Sequence, residues 1–128
     1  MADRLESEAW AVRDRAYAPY SKFRVGAAIE ADDGRVFTGC NVENASYGLT
    51  ICAERAAVVQ AVGAGVRRFR RVVVVTESEP PAAPCGACRQ VLWEFGPDLV
   101  VEAVGPRSRK QWRMSELLPD GFGPESLS

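Results

Sequence analysis

The chain has 128 residues, of which 47% are hydrophobic and 26% charged, an ordinary composition for a globular domain. Its net charge of −1 gives no overall field that would recruit nucleic acid or an anionic membrane. No apolar run approaches the roughly 20 residues of a membrane span, and the first ten residues are acidic and polar, unlike a secretory signal. We therefore expect one cytoplasmic domain over residues 1–128, with no nucleic acid and no membrane among its partners.

The first half of the chain predicts a helix, a hairpin and a second helix. Apolar residues recur at helical spacing over 2–16, and the proline that follows ends this helix. Strands are predicted over 25–31 and 35–40, joined by a turn in which Asp33 and Gly34 take positive φ. A loop of small and polar residues then leads to a helix over 51–62, which a glycine closes.

The second half alternates strand and helix. The β-branched run RVVVVT at 71–76 is typical of a strand buried on both faces. A helix over 85–95 and a strand over 99–104 follow, and then a weaker strand over 108–113, a short helix over 114–118 and a loose tail ending at Ser128. Because a helix connects the third and fourth strands by a right-handed crossover, these two strands are predicted to be parallel. The predicted fold class is therefore α/β, a three-layer α/β/α sandwich around one mixed sheet of about five strands.

Three of the four cysteines stand at the predicted starts of the second and third helices. They are Cys52, Cys85 and Cys88, and Glu54 follows the first of them by two residues. Thiolates are good ligands for Zn²⁺, and three protein ligands leave the fourth tetrahedral position for water. A carboxylate beside such a site, itself not a ligand, can transfer protons. The chain contains no histidine, which excludes a histidine base or ligand. The pattern favours a catalytic zinc site.

Two other interpretations of the cysteines remain open. Cys40 would complete a closed four-cysteine shell, the usual structural zinc site. Alternatively, Cys85 and Cys88 would form a redox pair, because Cys-x-x-Cys between a strand and a helix is also the thioredoxin-like arrangement. The redox interpretation has no use for Cys52 or Glu54, and Cys40 can equally be a small buried apolar residue.

Basic residues fall near the site and in two clusters. Arg55 and Arg89 each follow a candidate site residue directly, where they would either donate hydrogen bonds to the thiolates or lie at the surface. The clusters are RRFRR at 67–71 and RSRKQWR at 107–113. Such clusters can contact phosphate, but with a net charge near zero we expect solvated surface.

Several motifs, in order along the chain, resemble those of the cytidine deaminases of the small homotetrameric class. They are YSKFRVGAAI, GCNVENASYG, TICAERAA, PCGACRQ and ELLPDGF, which together span nearly the whole sequence. The resemblance implies a zinc-dependent hydrolase that acts in pyrimidine salvage. It would convert cytidine and deoxycytidine with water to uridine, deoxyuridine and ammonia. The runner-up on this fold is a blasticidin S-type deaminase, although CNVENASYG favours an ordinary ribose.

The resemblance also implies roles for residues of the metal site. Cys52, Cys85 and Cys88 would hold the zinc. Glu54 would transfer protons between the water, N3 of the base and the departing amine. Arg55 matches an arginine that hydrogen-bonds the thiolates in that family.

Four further residues are implied to bind substrate. Asn41 and Glu43 would bind the ribose hydroxyls, and Phe23 would pack against the base. Phe122 would reach the active site of a neighbouring subunit of the homotetramer. Without the resemblance, an Asn-x-x-Asn stretch after a strand equally predicts a turn, although Glu43 is an unusual choice for one.

Overall fold

The structure is a computed structural model in which residues 3–127 are described. Its α-helices are α1 (Arg4–Arg13), α2 (Ala53–Gly63), α3 (Gly86–Trp93) and α4 (Met114–Leu117). Its strands are β1 (Gly26–Ala31), β2 (Val36–Cys40), β3 (Phe69–Val75), β4 (Val100–Val104) and β5 (Arg109–Arg113). Two 3₁₀ turns, Tyr47–Leu49 and Pro124–Leu127, complete the set. Within residues 3–127, no helix combines the length and apolarity that crossing a membrane requires.

One five-stranded sheet has the order β2-β1-β3-β4-β5. The β3–β4 pair is parallel and the other pairs are antiparallel, which confirms the predicted mixed sheet. β3 begins at Phe69, two residues earlier than predicted, because its first residues pair with the end of β1 across an irregularity in register. In the hairpin turn Gly34 alone takes positive φ among the two predicted residues.

Both ends of the chain differ from the prediction. α1 closes at Arg13, with the N–H of Asp14 bonded to Val12, rather than continuing to residue 16. The tail predicted to be loose contains the 3₁₀ turn Pro124–Leu127. Ala2, the first residue of the predicted helix, and Ser128, the last of the predicted tail, lie outside the described residues.

The helices form layers on both faces of the sheet, as the predicted sandwich requires. α1 packs through Leu5 and Ala9 against one face, where the sheet presents a buried set made up of Ala28, Val73, Val75 and Val104. The opposite face packs against α2, α3 and α4. That larger cluster contains alternate residues of the same strands, including Ala27, Ile29, Val72, Val74 and Val101.

Glycines set the distance between the hairpin and the two helices that cover it. A Cβ built on Gly26 would lie 2.1 Å from the carbonyl oxygen of Ala9 in α1. A Cβ built on Gly39 would lie 2.4 Å from the backbone nitrogen of Ala57 in α2. Only a residue without a side chain permits backbones to approach this closely. The position of α2, whose first turn carries site residues, is therefore fixed by Gly39.

Members of the two basic clusters form ion pairs that attach α1 to the sheet. Arg71 donates to Glu102 on β4 at 3.1 Å and also to Asp3, the residue that caps α1. Arg109 on β5 donates to Glu6 of α1 at 2.6 Å. The Arg71 side chain is 23% exposed, so the expectation of solvated surface is wrong for this residue.

Candidate active site

The three candidate ligand cysteines meet where the N-termini of α2 and α3 converge. Cys52 is the N-cap of α2, Cys85 is the N-cap of α3, and Cys88 lies in the first turn of α3. An N-cap side chain commonly accepts a hydrogen bond from its own helix, but neither of these two thiols does so. Instead, the three sulfurs lie within 4.8 Å of one another, and the Cys52 and Cys85 sulfurs are 3.9 Å apart. Zinc bonded tetrahedrally at ~2.3 Å to sulfur would hold two ligands about 3.8 Å apart, so the cluster fits zinc.

The electrostatic surroundings favour negative charge on this cluster. A hydrogen bond from the Cys88 thiol, with further ones from Arg55 and Cys85, lowers the pKa of Cys52 to about 5. The same interaction with Cys52, together with burial, raises the pKa of Cys88. Two helix N-termini add partial positive charge at the sulfurs. Without a metal, only some of the three thiols can lose their protons. A soft divalent cation would stabilise all three as thiolates by accepting an electron pair from each sulfur.

The two arginines beside the site behave differently. A terminal nitrogen of Arg55 donates to the Cys52 sulfur at 3.7 Å and to the carbonyl of Thr50 at 3.1 Å. Arg89 donates instead to carbonyl oxygens, that of Pro84 at 2.8 Å and that of Leu117 at 3.0 Å. Arg55 therefore contacts sulfur as a balancing charge would, whereas Arg89 fixes the turn that carries Cys85 and joins it to α4.

Glu54 is a buried carboxylate next to the thiols. It is the second residue of α2, and only 6% of it is exposed. Burial, with the nearby Cys52 charge, raises the pKa of Glu54 to about 7. A carboxyl group with that pKa can both accept and release a proton near neutral pH.

A pocket of about 280 Å³ opens above the cluster and brings most of the predicted residues together. Its lining includes the metal-site residues Cys52, Cys85 and Glu54. The predicted substrate-binding residues Phe23, Asn41 and Glu43 line the same pocket. Cys88 lies behind this lining as a fully buried residue.

Asn41 and Glu43 lie on one extended segment that is held on both sides. The residue between them, Val42, pairs with Ile51, while the main chain of Asn41 and Glu43 bonds to Tyr17. Alternation along the segment directs both polar side chains the same way. Asn41, only 8% exposed, accepts from the N–H of Val25 at 2.9 Å and donates to the carbonyl of Phe23 at 2.8 Å. It therefore anchors the pocket wall, and one amide N–H remains for a ligand.

Phe122 does not line the pocket of its own chain. Its side chain is 56% exposed, while its carbonyl accepts from Gln90 of α3 at 2.8 Å. Gly121 and Gly123 lie flat on Trp93, where an added Cβ would come within 2.6–2.7 Å of the indole. An exposed aromatic side chain thus stands on a firmly held backbone.

Sequence reasoning missed several residues of the pocket wall. They are Ser21, Thr50, Val74, Thr76 and Ala82, which all line the pocket. Thr76 follows β3 directly, and the end of a strand in an α/β fold is a common location for site residues. That position was a usable signal for Thr76, whereas nothing in the spacing of Ser21 pointed to the pocket.

The alternative interpretations of the cysteines are not favoured. Cys40 lies half-buried at the end of β2 and is not part of the ligand cluster, so it does not supply a fourth thiolate. It is also less buried than the small apolar residue we expected. Cys52 joins Cys85 and Cys88 in one cluster, which a two-cysteine redox pair does not require.

Comparison with known proteins agrees with this geometry. The family described as "Cytidine and deoxycytidylate deaminase zinc-binding region" matches residues 2–104, which include all three clustered cysteines. A cytidine deaminase from Sporosarcina psychrophila is 45% identical over 130 aligned positions, covering 98% of this chain and 94% of that protein. One from Mycobacterium tuberculosis is 50% identical over 114 positions, covering 88% and 82%. The crystal structure of cytidine deaminase from Burkholderia pseudomallei superimposes with a TM-score of 0.90 at 50% identity, covering 95% of this chain and all of that one.

Proposed function

This chain belongs to the cytidine and deoxycytidylate deaminase family, and on that premise we propose that it hydrolyses cytidine and deoxycytidine to uridine and deoxyuridine. Ammonia is the second product, and the role is pyrimidine salvage. The observation that carries the proposal is the convergence of a three-thiol cluster, a buried carboxylate and polar groups for a sugar in one pocket. Its volume of about 280 Å³ lies at the small end of ligand sites and suits a free nucleoside.

Cys52, Cys85 and Cys88 would hold the zinc ion, with Arg55 donating to the Cys52 sulfur. Bound zinc supplies Lewis-acid activation, lowering the pKa of the attacking water from 15.7 towards ~7. The chain adds the orientation of the thiols, which are fixed by two helix starts. It also adds a counter-charge for three thiolates.

Glu54 is the proposed proton carrier. It accepts a proton from the water that attacks C4, delivers it to N3 of the ring, and transfers the second proton of that water to the departing amine. The C4–O bond forms, the C4–N bond breaks, and ammonia leaves, so one water is consumed per turnover. The pKa of about 7 that burial gives Glu54 supports both directions of transfer.

Substrate binding is assigned to the rest of the pocket wall. The free N–H of Asn41 and the carboxylate of Glu43 would bind sugar hydroxyls, and the ring of Phe23 would pack on the base. A nucleoside-antibiotic deaminase on the same fold is not favoured, because the relatives described above are cytidine deaminases.

We propose a homotetramer, in which Phe122 completes a neighbour's pocket. Support comes from large apolar side chains at the surface of the isolated chain, among them Tyr47, Leu49, Val59 and Phe122, each more than half exposed. Light scattering on the purified protein tests the stoichiometry. The four cysteines are free thiols, which supports a reducing compartment such as the cytoplasm.

The test is ammonia release from cytidine, deoxycytidine, free cytosine and a single-stranded oligonucleotide, each with and without a zinc chelator. We expect rapid release from both nucleosides, much slower release from cytosine, none from the oligonucleotide, and loss of activity on chelation. Efficient turnover of the oligonucleotide, weakened by charge reversal in the cluster 67–71, would contradict the assignment. So would cytidine turnover that survives complete removal of zinc.

A further inference from the structure

Residues of the loop between α1 and β1 line the pocket, and one of them, Ser21, makes two hydrogen bonds through its hydroxyl. Ser21 Oγ donates to Oε2 of Glu43 and accepts from the backbone N–H of Phe23 at 3.0 Å. Lys22, between them, has a φ of 62°, the left-handed turn that brings the Phe23 N–H back towards the serine. One hydroxyl thus links the carboxylate assigned to the sugar with the backbone of the residue whose ring is assigned to the base.

The carboxylate of Glu43 is largely occupied by this loop. Oε1 accepts from the backbone N–H groups of Tyr20 at 2.9 Å and Ser21 at 3.1 Å, and Oε2 accepts from the Ser21 hydroxyl. A carboxylate has about four acceptor positions, so one remains, on Oε2. The hydrogen bond from Ser21 lowers the pKa of Glu43 and keeps it an acceptor. Glu43 therefore offers a ligand one directed acceptor, whose direction the Ser21 hydroxyl helps to set.

Phe23 is held at both of its backbone polar groups. Its N–H donates to Ser21 Oγ, and its carbonyl accepts from the Asn41 amide at 2.8 Å. Asn41 is itself fixed by the N–H of Val25. The buried side chain of Asn41 thus anchors the carbonyl group of Phe23. The N–H group of Phe23 is held by Ser21.

We propose that Ser21 is a positioning residue for nucleoside recognition, which fixes Glu43 and Phe23 relative to each other so that sugar and base are bound as one unit. The proposal rests on the function proposed above and adds a residue to it. Within residues 3–127, no hydrogen bond joins Ser21 to the thiol cluster or to Glu54, so it acts on binding geometry rather than on proton transfer.

The chain contains a matched control outside the pocket lining. Ser108 donates its hydroxyl to Oε2 of Glu79 at 2.7 Å, while the N–H groups of Arg107 and Ser108 donate to Oε1 at 2.7 and 3.2 Å. This is the same three-bond pattern that Ser21 and Tyr20 make to Glu43. Ser108→Ala therefore removes an equivalent hydrogen bond without touching the pocket lining.

The experiment compares Ser21→Ala, Ser21→Thr and Ser108→Ala in the full-length protein, with cytidine and free cytosine as substrates. Removing a hydrogen bond to a charged group at the site should lower kcat/KM for cytidine about ten- to hundredfold, mainly through KM. The loss for cytosine should be smaller, because cytosine lacks the sugar that Glu43 binds. Threonine keeps the hydroxyl and should restore most of the activity. Ser108→Ala should match the wild-type kinetics, and zinc content should be unchanged throughout.

A double-mutant cycle with Glu43→Ala decides whether Ser21 acts through that carboxylate. In the Glu43→Ala background, Ser21→Ala should change cytidine kcat/KM by less than about threefold. Equal losses for cytidine and cytosine, undiminished in that background, would overturn the proposal in favour of general loosening of the loop. Unchanged kinetics for Ser21→Ala, in a protein that deaminates cytidine, would overturn it while leaving the proposed function intact. A wild-type protein loaded with zinc yet inactive on cytidine would overturn both.

Discussion

Gly39→Ala should damage the active site from a distance, through the helix that carries it. The new methyl group would stand 2.4 Å from the Ala57 nitrogen and 2.5 Å from the Ala53 carbonyl oxygen, both in the backbone of α2. Contacts of this kind need about 3.5 Å, so α2 must recede by roughly 1 Å. Cys52 and Glu54 stand at the start of that helix and would move with it.

The magnitude follows from overpacking and misplacement. Forcing a methyl group into a filled space costs about 1–3 kcal/mol. For a domain of 128 residues, this lowers the melting temperature by roughly 3–12 °C. A 1 Å displacement at a catalytic group can reduce turnover on the order of a hundredfold. The measurements are a thermal melt, zinc content and kcat for cytidine on the same sample.

Two glycine variants serve as controls. Gly26→Ala places a methyl group 2.1 Å from the Ala9 carbonyl in α1, on the opposite face of the sheet, and should lower the melting temperature while leaving zinc content unchanged and reducing kcat less than Gly39→Ala does. Gly63→Ala, at the end of α2, meets no atom within 4 Å and should stabilise the protein by about 0.5–1 kcal/mol. Wild-type activity in Gly39→Ala, or equal inactivation by Gly26→Ala, would refute the reasoning.

Three further predictions concern the site and the N-terminal helix. Glu54→Gln should keep its zinc and lose about 10²–10⁴-fold in kcat for cytidine, because the amide carries no transferable proton; near-normal turnover would remove Glu54 from the mechanism. Cys40→Ala should retain both zinc and activity, whereas metal loss would point to a four-thiolate shell. Asp3→Ala should lower the free energy of unfolding by about 1 kcal/mol at neutral pH, because Asp3 caps α1. The bond to the Glu6 N–H lowers the pKa of Asp3, so this difference should fade in urea melts as the pH falls through that pKa and the wild-type carboxylate is protonated.

The sheet and its layers were predictable from the sequence because periodicity and burial are local signals. RVVVVT predicted a strand buried on both faces, and β3 is that strand, at the centre of the sheet. The alternation after residue 51 correctly predicted the parallel β3–β4 pair. The family resemblance is likewise confirmed by the comparisons. Boundaries were less accurate, as at Arg13, because a helix end depends on which carbonyl captures the next N–H.

The metal cluster was predictable, and its supports were not. Cysteines at two helix starts carry a spacing signal that identifies Cys52, Cys85 and Cys88. Ser21, in contrast, is joined to Glu43 only by the fold, at a separation of 22 residues. Arg89 follows a cysteine just as Arg55 follows Glu54, yet only the folded chain shows that it bonds carbonyls instead of sulfur. Such contacts depend on which loops lie next to each other in the folded chain. Neither the composition nor the hydrophobic periodicity of the sequence encodes that.

The position of α3 has a consequence for how the proposed tetramer would respond to incomplete metal loading. The first turn of this helix carries Cys88, while Gln90 and Trp93 further along hold the segment that presents Phe122. A helix that shifts when its thiol loses an ion would also shift the aromatic ring offered to the adjoining subunit. In the proposed tetramer, zinc occupancy in one protomer would then be coupled to substrate affinity in the next, and such coupling would be reciprocal. Activity titrated against zinc per chain should consequently follow a curve that lies below a straight line at partial loading.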